Sequence, residues 1–130
     1  MRDSPSNNRE FLHKEVTQQI IGAAFEVYRH LGYGYLEKVY QRALQVELLQ
    51  RGLQAQLEHP IKVLYKGAVV GEYAADLFVE GRVMVELKVA PEYCKSDEAQ
   101  LLNQLVSTGV KVGLLINFGR TGVQFTRRVR

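Results

Sequence analysis

Asp76, Glu86 and Lys88 are charges set among apolar residues, and their spacing is hard to explain by solubility alone. Leu77 and Val79 follow Asp76, while Val83, Val85, Leu87 and Val89 alternate around Glu86 and Lys88. Strand side chains alternate faces, so these apolar residues share one face of a hairpin only if Leu77 lies opposite Val85 and Val79 opposite Val83. That register sets Asp76 opposite Glu86 and places Lys88 on the same face. The connecting loop is Glu80-Gly81-Arg82, although the usual three-residue loop has its glycine last. Facing carboxylates repel unless something positive lies between them. A divalent cation meets that demand, and hard oxygen ligands at this spacing suit magnesium or manganese, which bind through one or two carboxylates plus substrate phosphate. A neighbouring lysine can hold or help deprotonate an attacking water and offset negative charge developing at phosphorus. The plain alternative is a solvated hairpin face with a Glu86–Lys88 charge pair.

The surrounding pattern predicts the elements that position these residues. From about Arg9, apolar residues recur at three- and four-residue steps through Phe11, Val16, Ile20, Ala24, Val27 and Leu31, which predicts a helix stopped by Gly32-Tyr33-Gly34. A second helix is expected from about Leu36 to Arg51, with Gly52 where a C-terminal cap belongs. The period then changes to two. Strands are expected at Gln54 to Tyr65 with an interruption near Pro60, at Val69 to Val79 after a Lys66-Gly67 turn, and at Arg82 to Val89. Ser96 or Asp97 is placed to cap a third helix reaching Thr108, with Gly109 at its end. Val112 to Phe118 is almost wholly apolar, as in a strand buried on both faces, and Val123 to Val129 reads as an edge strand. The helix between the third and fourth strands makes that pair parallel, while the first three form an antiparallel meander. The fold class expected is α/β, a mixed sheet flanked by helices.

Length and composition bound the answer. The 130 residues, 46% of them apolar, suffice for one domain with one core. Met1 to Asn8 holds almost nothing apolar and reads as a flexible lead-in, leaving 9–130 as the domain. No apolar run approaches the roughly 20 residues needed to cross a bilayer, and no signal pattern opens the chain, so a soluble cytoplasmic protein without a membrane partner is expected. Cys94 is the sole cysteine and is expected to be a reduced, incidental thiol. The formal charge of +3 is compatible with a polyanionic partner. Part of the excess is local: Arg120, Arg127, Arg128 and Arg130 crowd the C-terminus, as phosphate contacts or as a solvated end.

Gly34-Tyr35-Leu36-Glu37-Lys38-Val39-Tyr40 matches the G-x-x-E-x-x-Y signature of the GxxExxY proteins, a family of small bacterial proteins. The resemblance continues through Tyr73 to Asp76, Glu86-Leu87-Lys88, Ala99 to Asn103 and Gly113 to Gly119, and covers nearly the whole chain after Asn8. That family resembles a branch of the PD-(D/E)XK nuclease superfamily, which implies a restriction-endonuclease-like core. By this resemblance Asp76 is the pattern's aspartate, Glu86 its second acid and Lys88 its catalytic lysine. Glu37 is then the helix glutamate that completes the metal site, and the Leu87 carbonyl is a further ligand. Ala75 stands where the pattern has proline. Gln100 resembles the glutamine of a Q-x-x-x-Y element, with Gln104 at its tyrosine position.

The implied function is a magnesium- or manganese-dependent nuclease that cuts nucleic acid, DNA ahead of RNA, leaving a 5′-phosphate and a 3′-hydroxyl. Gln100, Arg120, Arg127 and Arg128 are its candidate substrate contacts. A homodimer would bring a second site to a duplex. The rival reading is a nuclease-fold module that no longer cuts and serves in nucleic-acid binding or protein assembly. For Glu37 the plain alternative is stabilisation of a helix N-terminus. Tyr40 is expected to pack with its hydroxyl tied down.

Overall fold

The computed structural model describes residues 11–130. Met1 to Asn8, the expected lead-in, lies outside the described residues. Among the described residues there are three helices, α1 (Lys14–Leu31), α2 (Glu37–Gln50) and α3 (Ser96–Thr108). Five strands join them: β1 (Ala55–Tyr65), β2 (Ala68–Val79), β3 (Val83–Lys88), β4 (Val112–Phe118) and β5 (Val123–Val129). The strands form one sheet in the order β1-β2-β3-β4-β5. Only β3 and β4 run parallel, joined through α3, and the other neighbours are antiparallel, which is the mixed sheet expected. None of these helices is long and apolar enough to cross a membrane.

Alternation in the strands produces a core on each face of the sheet. On one face α1 and α2 pack Ile20, Ala24, Leu44 and Leu48 against Leu77, Val85, Leu114 and Phe118. On the other, Leu101 and Leu105 of α3 pack against Met84 and Leu115. Every residue of β4 is buried, as its apolar run requires. Each large side chain so buried contributes about 1.5–3 kcal/mol, and the two layers together clamp β3 between them.

Several details depart from the sequence reading. Helix α1 starts at Lys14, because His13 adopts a left-handed conformation (φ 54°) that a helix cannot continue through. Neither Ser96 nor Asp97 caps α3; Lys95 holds the cap position without a side-chain bond, and the Ser96 hydroxyl turns instead to the Cys94 thiol. Strand β1 runs through Pro60 unbroken, since Pro60 lies on the sheet edge, where a missing N–H costs nothing.

The largest departure lies beside the acids. Ala55 and Leu57 of β1, with Leu77 and Val79 of β2, face the α1–α2 core, yet Ile61, Tyr73 and Ala75 face the α3 core. Residues two apart on a regular strand share a face, so both strands switch faces, β1 between Leu57 and Ile61 and β2 between Ala75 and Leu77. At the crease Glu58 is left-handed (φ 47°), and Asp76 is the residue about which β2 turns.

Candidate metal and nuclease centre

The hairpin register is the one the apolar pattern demanded: Leu77 pairs with Val85 and Val79 with Val83. The ladder stops there. Continued, it would bond Leu87 to Ala75, but the face switch has turned Ala75 away. The acids replace the missing backbone bonds. Leu87 N–H donates to Asp76 Oδ2 at 2.7 Å, and Asp76 N–H donates to Glu86 Oε1 at 3.1 Å. Each carboxylate is thus pinned by one oxygen to the opposite strand. Because a strand residue's N–H and C=O leave the same edge, the Leu87 carbonyl also points into the gap where β2 and β3 part.

Burial pushes the Glu86 carboxyl up to about 7, and the nearby Asp76 charge pushes it the same way, against hydrogen bonding from Tyr73. Asp76 is raised too, first by burial and further by Glu58, while the Leu87 N–H and Lys88 oppose the rise. Glu37, the first residue of α2, is raised by burial and then by Asp76, and lowered by Lys88. These mutual influences bring Glu37, Asp76, Glu86 and Lys88 into one electrostatic neighbourhood. A carboxylate pair this desolvated and repulsive is under strain that a cation would relieve. Among the described residues no three Asp, Glu, His or Cys side chains form a ready-made metal cage. Magnesium does not need one: one or two carboxylates, waters and a substrate phosphate suffice. The donor set fits that ion.

Surrounding residues fix this geometry. Tyr40, three residues after Glu37, stacks on Phe118 at 4.4 Å and donates its hydroxyl to the Gly32 carbonyl, fastening the α1–α2 loop and so the start of α2. Beyond β3, the buried Asn117 accepts from Ala90 N–H at 2.9 Å and donates to Ala90 O at 3.0 Å and to Gln124 at 2.9 Å. These bonds fix the chain just after Lys88. A Cβ at Gly119 would lie 2.7 Å from Gln124 Oε1, 3.1 Å from the Gly122 carbonyl and 3.2 Å from Asn117 Nδ2, so a side chain there would displace the Gln124 and Asn117 amides.

Sequence reasoning missed Gln41 and Tyr73. Gln41 is buried and donates from Nε2 to the Asp76 carbonyl at 2.8 Å, so α2 holds Asp76 through its backbone. A polar residue in the buried stripe of α2, one turn after Glu37, was the available signal. Replacing Gln41 with Leu is expected to lower stability by about 1–3 kcal/mol, the cost of leaving a buried carbonyl unpaired. A urea midpoint unchanged within error would show that the bond contributes nothing. Tyr73 reaches both Glu86 and Gln104.

The candidate substrate contacts do not form one patch. Gln100 lines a small pocket with Glu86, Lys88 and Asp97, beside the acids. Arg120 is exposed on the β4–β5 loop, which is tied to the chain after β3 by its own N–H bond to Pro91. Arg127 and Arg128, consecutive on β5, point to opposite faces and are committed to the fold. Arg128 pairs with Glu98 of α3 and Arg127 donates to the Leu12 carbonyl. Arg127 and Arg128 thus each make a bond within the fold.

The family model described as PD-(D/E)XK nuclease superfamily matches residues 14–129. Among solved structures, the crystal structure of SSO0001 is similar at a TM-score of 0.51 and 16% identity, a likeness of fold. The match covers 95% of this chain and 61% of that one, so this chain spans less than two thirds of its length. No curated protein matches.

Proposed function

Since the chain belongs to the PD-(D/E)XK nuclease superfamily, we propose that it is a magnesium- or manganese-dependent nuclease acting on nucleic acid, DNA ahead of RNA, with Asp76, Glu86 and Lys88 at its centre. The observation that carries this reading is the pair of desolvated carboxylates, each bonded to the other's strand, with Lys88 and Glu37 in the same electrostatic neighbourhood. The Gly34 to Tyr40 signature supports a place in the GxxExxY branch.

Asp76, Glu86 and the Leu87 carbonyl would hold the ion, with Glu37 beside them. Bound there, the ion supplies Lewis-acid polarisation of the phosphate and acidification of water. The Lys88 ammonium positions the attacking water and offsets charge developing at phosphorus. Burial pushes the Glu86 carboxyl up, and a cation held beside it would favour the ionised form that takes part in the site. In-line attack leaves a 5′-phosphate and a 3′-hydroxyl. Two copies paired through a two-fold axis would present one centre to each strand of a duplex.

Glu37→Gln separates a metal role from stabilisation of the α2 N-terminus. If Glu37 supports the ion, magnesium affinity falls about tenfold, an effect of the size seen when groups behind metal ligands are lost, and metal-free stability holds or rises as the repulsion from Asp76 is removed. Unchanged affinity with a loss of about 0.3–1 kcal/mol in stability is the signature of helix-dipole stabilisation alone. The function itself is tested by incubating purified protein with single-stranded, duplex and branched DNA and RNA in magnesium, manganese or chelator. Metal-dependent cleavage is the expected result. Metal-independent binding without cleavage of any substrate would favour the non-cutting module instead.

A further inference from the structure

The pocket at Glu86 and Lys88 does not end at Gln100. Gln100 and Gln104 also line a second cleft, of about 210 Å³, that continues along α3 past Asn103, Ser107 and Thr108. Tyr73 of β2 and Val63 of β1 form its opposite wall, because the face switch at the crease swings the distal half of the β1–β2 hairpin over α3. A water takes about 30 Å³, so the cleft has room for a flat organic group.

Its lining is chemically distinct from that of the first pocket. None of the residues lining the cleft is charged. Amides and hydroxyls come from α3, an aromatic ring and a valine from the hairpin, and among the described residues the Gln100 and Asn103 side chains make no hydrogen bond of their own. The acids and lysine lie at one end and the amides at the other. Phosphates are held by cations and metal, whereas bases are held by paired donors and acceptors and by apolar or aromatic surface. Asn and Gln amides offer donor and acceptor together, the pairing that a base edge matches. A base paired within a duplex cannot enter a recess between a helix and a hairpin without leaving its stack.

We propose that this cleft receives an unpaired nucleobase of the strand whose phosphate lies at Asp76 and Glu86. The inference rests on the nuclease reading and makes the substrate class single-stranded or locally unpaired nucleic acid.

The test is fluorescence anisotropy of a labelled single-stranded oligonucleotide, in calcium buffer, with one abasic site walked along the strand. Base–aromatic stacking and edge contacts predict that the abasic site weakens binding about tenfold at one or two positions. Asn103→Ala, a change at an exposed helix position, should bring the intact strand close to the abasic level and remove the difference. Equal binding of intact and abasic strands at every position, or no binding of single strands while duplex is bound, overturns the cleft. Cleavage measured separately in magnesium keeps the two readings apart. A base-dependent difference in binding without any cleavage would leave the cleft standing and remove the nuclease.

Discussion

Replacing Asp76 with asparagine is expected to lower cleavage in saturating magnesium by about 10³-fold while leaving the metal-free protein at least as stable as the wild type. The rate loss corresponds to about 4 kcal/mol, within the several kcal/mol that a correctly held ion supplies to phosphoryl chemistry. The stability argument comes from the geometry. Asparagine keeps a carbonyl oxygen that can accept from Leu87 N–H, the 2.7 Å bond that replaces the broken ladder. It removes a charge that repels Glu86 and Glu37 and that burial disfavours. A structural ion pair behaves in the opposite way, losing several kcal/mol when one buried partner is neutralised. Melting curves of both proteins in chelator decide the matter. A clearly less stable mutant would make Asp76 a structural residue.

The second large effect is on the pH dependence of stability. Glu86 is expected to titrate at about 4.5 when unfolded and is pushed up to about 7 in the fold. Between those values the folded protein binds more protons, so stability falls as pH rises through this window and the loss is complete above about 7. At about 1.4 kcal/mol for each pH unit the loss reaches up to about 3 kcal/mol, and Asp76, also raised, adds to it in the same direction. Urea midpoints in chelator from pH 4.5 to 8 should therefore decline for the wild type and decline less for Glu86→Gln. Magnesium should restore the wild type at pH 8, since a ligand of the folded state stabilises it by RT ln(1 + [L]/Kd). A slope identical in the two proteins would place the strain elsewhere.

How far the sequence could be read depended on whether a feature had a periodic signature. The β2–β3 register was legible because Leu77, Val79, Val83 and Val85 admit one arrangement with a shared apolar face, and that arrangement sets Asp76 against Glu86. The parallel β3–β4 pair followed from α3 between them. The crease was not legible. A glutamate in the left-handed region, as Glu58 is, leaves no compositional mark where a glycine would have, and strict alternation puts Tyr73 on the wrong face. As a result Tyr73 went unrecognised as a neighbour of Glu86, and the cleft along α3 could not be foreseen. The arginines hid their internal partners for a different reason. Their closeness in sequence says nothing about Glu98 and the Leu12 carbonyl, which are remote in the chain and take up Arg128 and Arg127. Gln41 and Asn117 were visible as polar residues in apolar stretches, but their backbone partners, Asp76 and Ala90, emerge only when the sheet is assembled.

Metal-dependent cleavage at Asp76 and Glu86 is tested most directly by a time course on one end-labelled single-stranded oligonucleotide, run with wild type and Asp76→Asn in magnesium and in chelator, with the product ends identified. The wild type should give 5′-phosphate products in magnesium and none in chelator, and the mutant should cut about 10³-fold more slowly. Cleavage that persists in chelator, or that proceeds equally in Asp76→Asn, would contradict a metal centre at these acids.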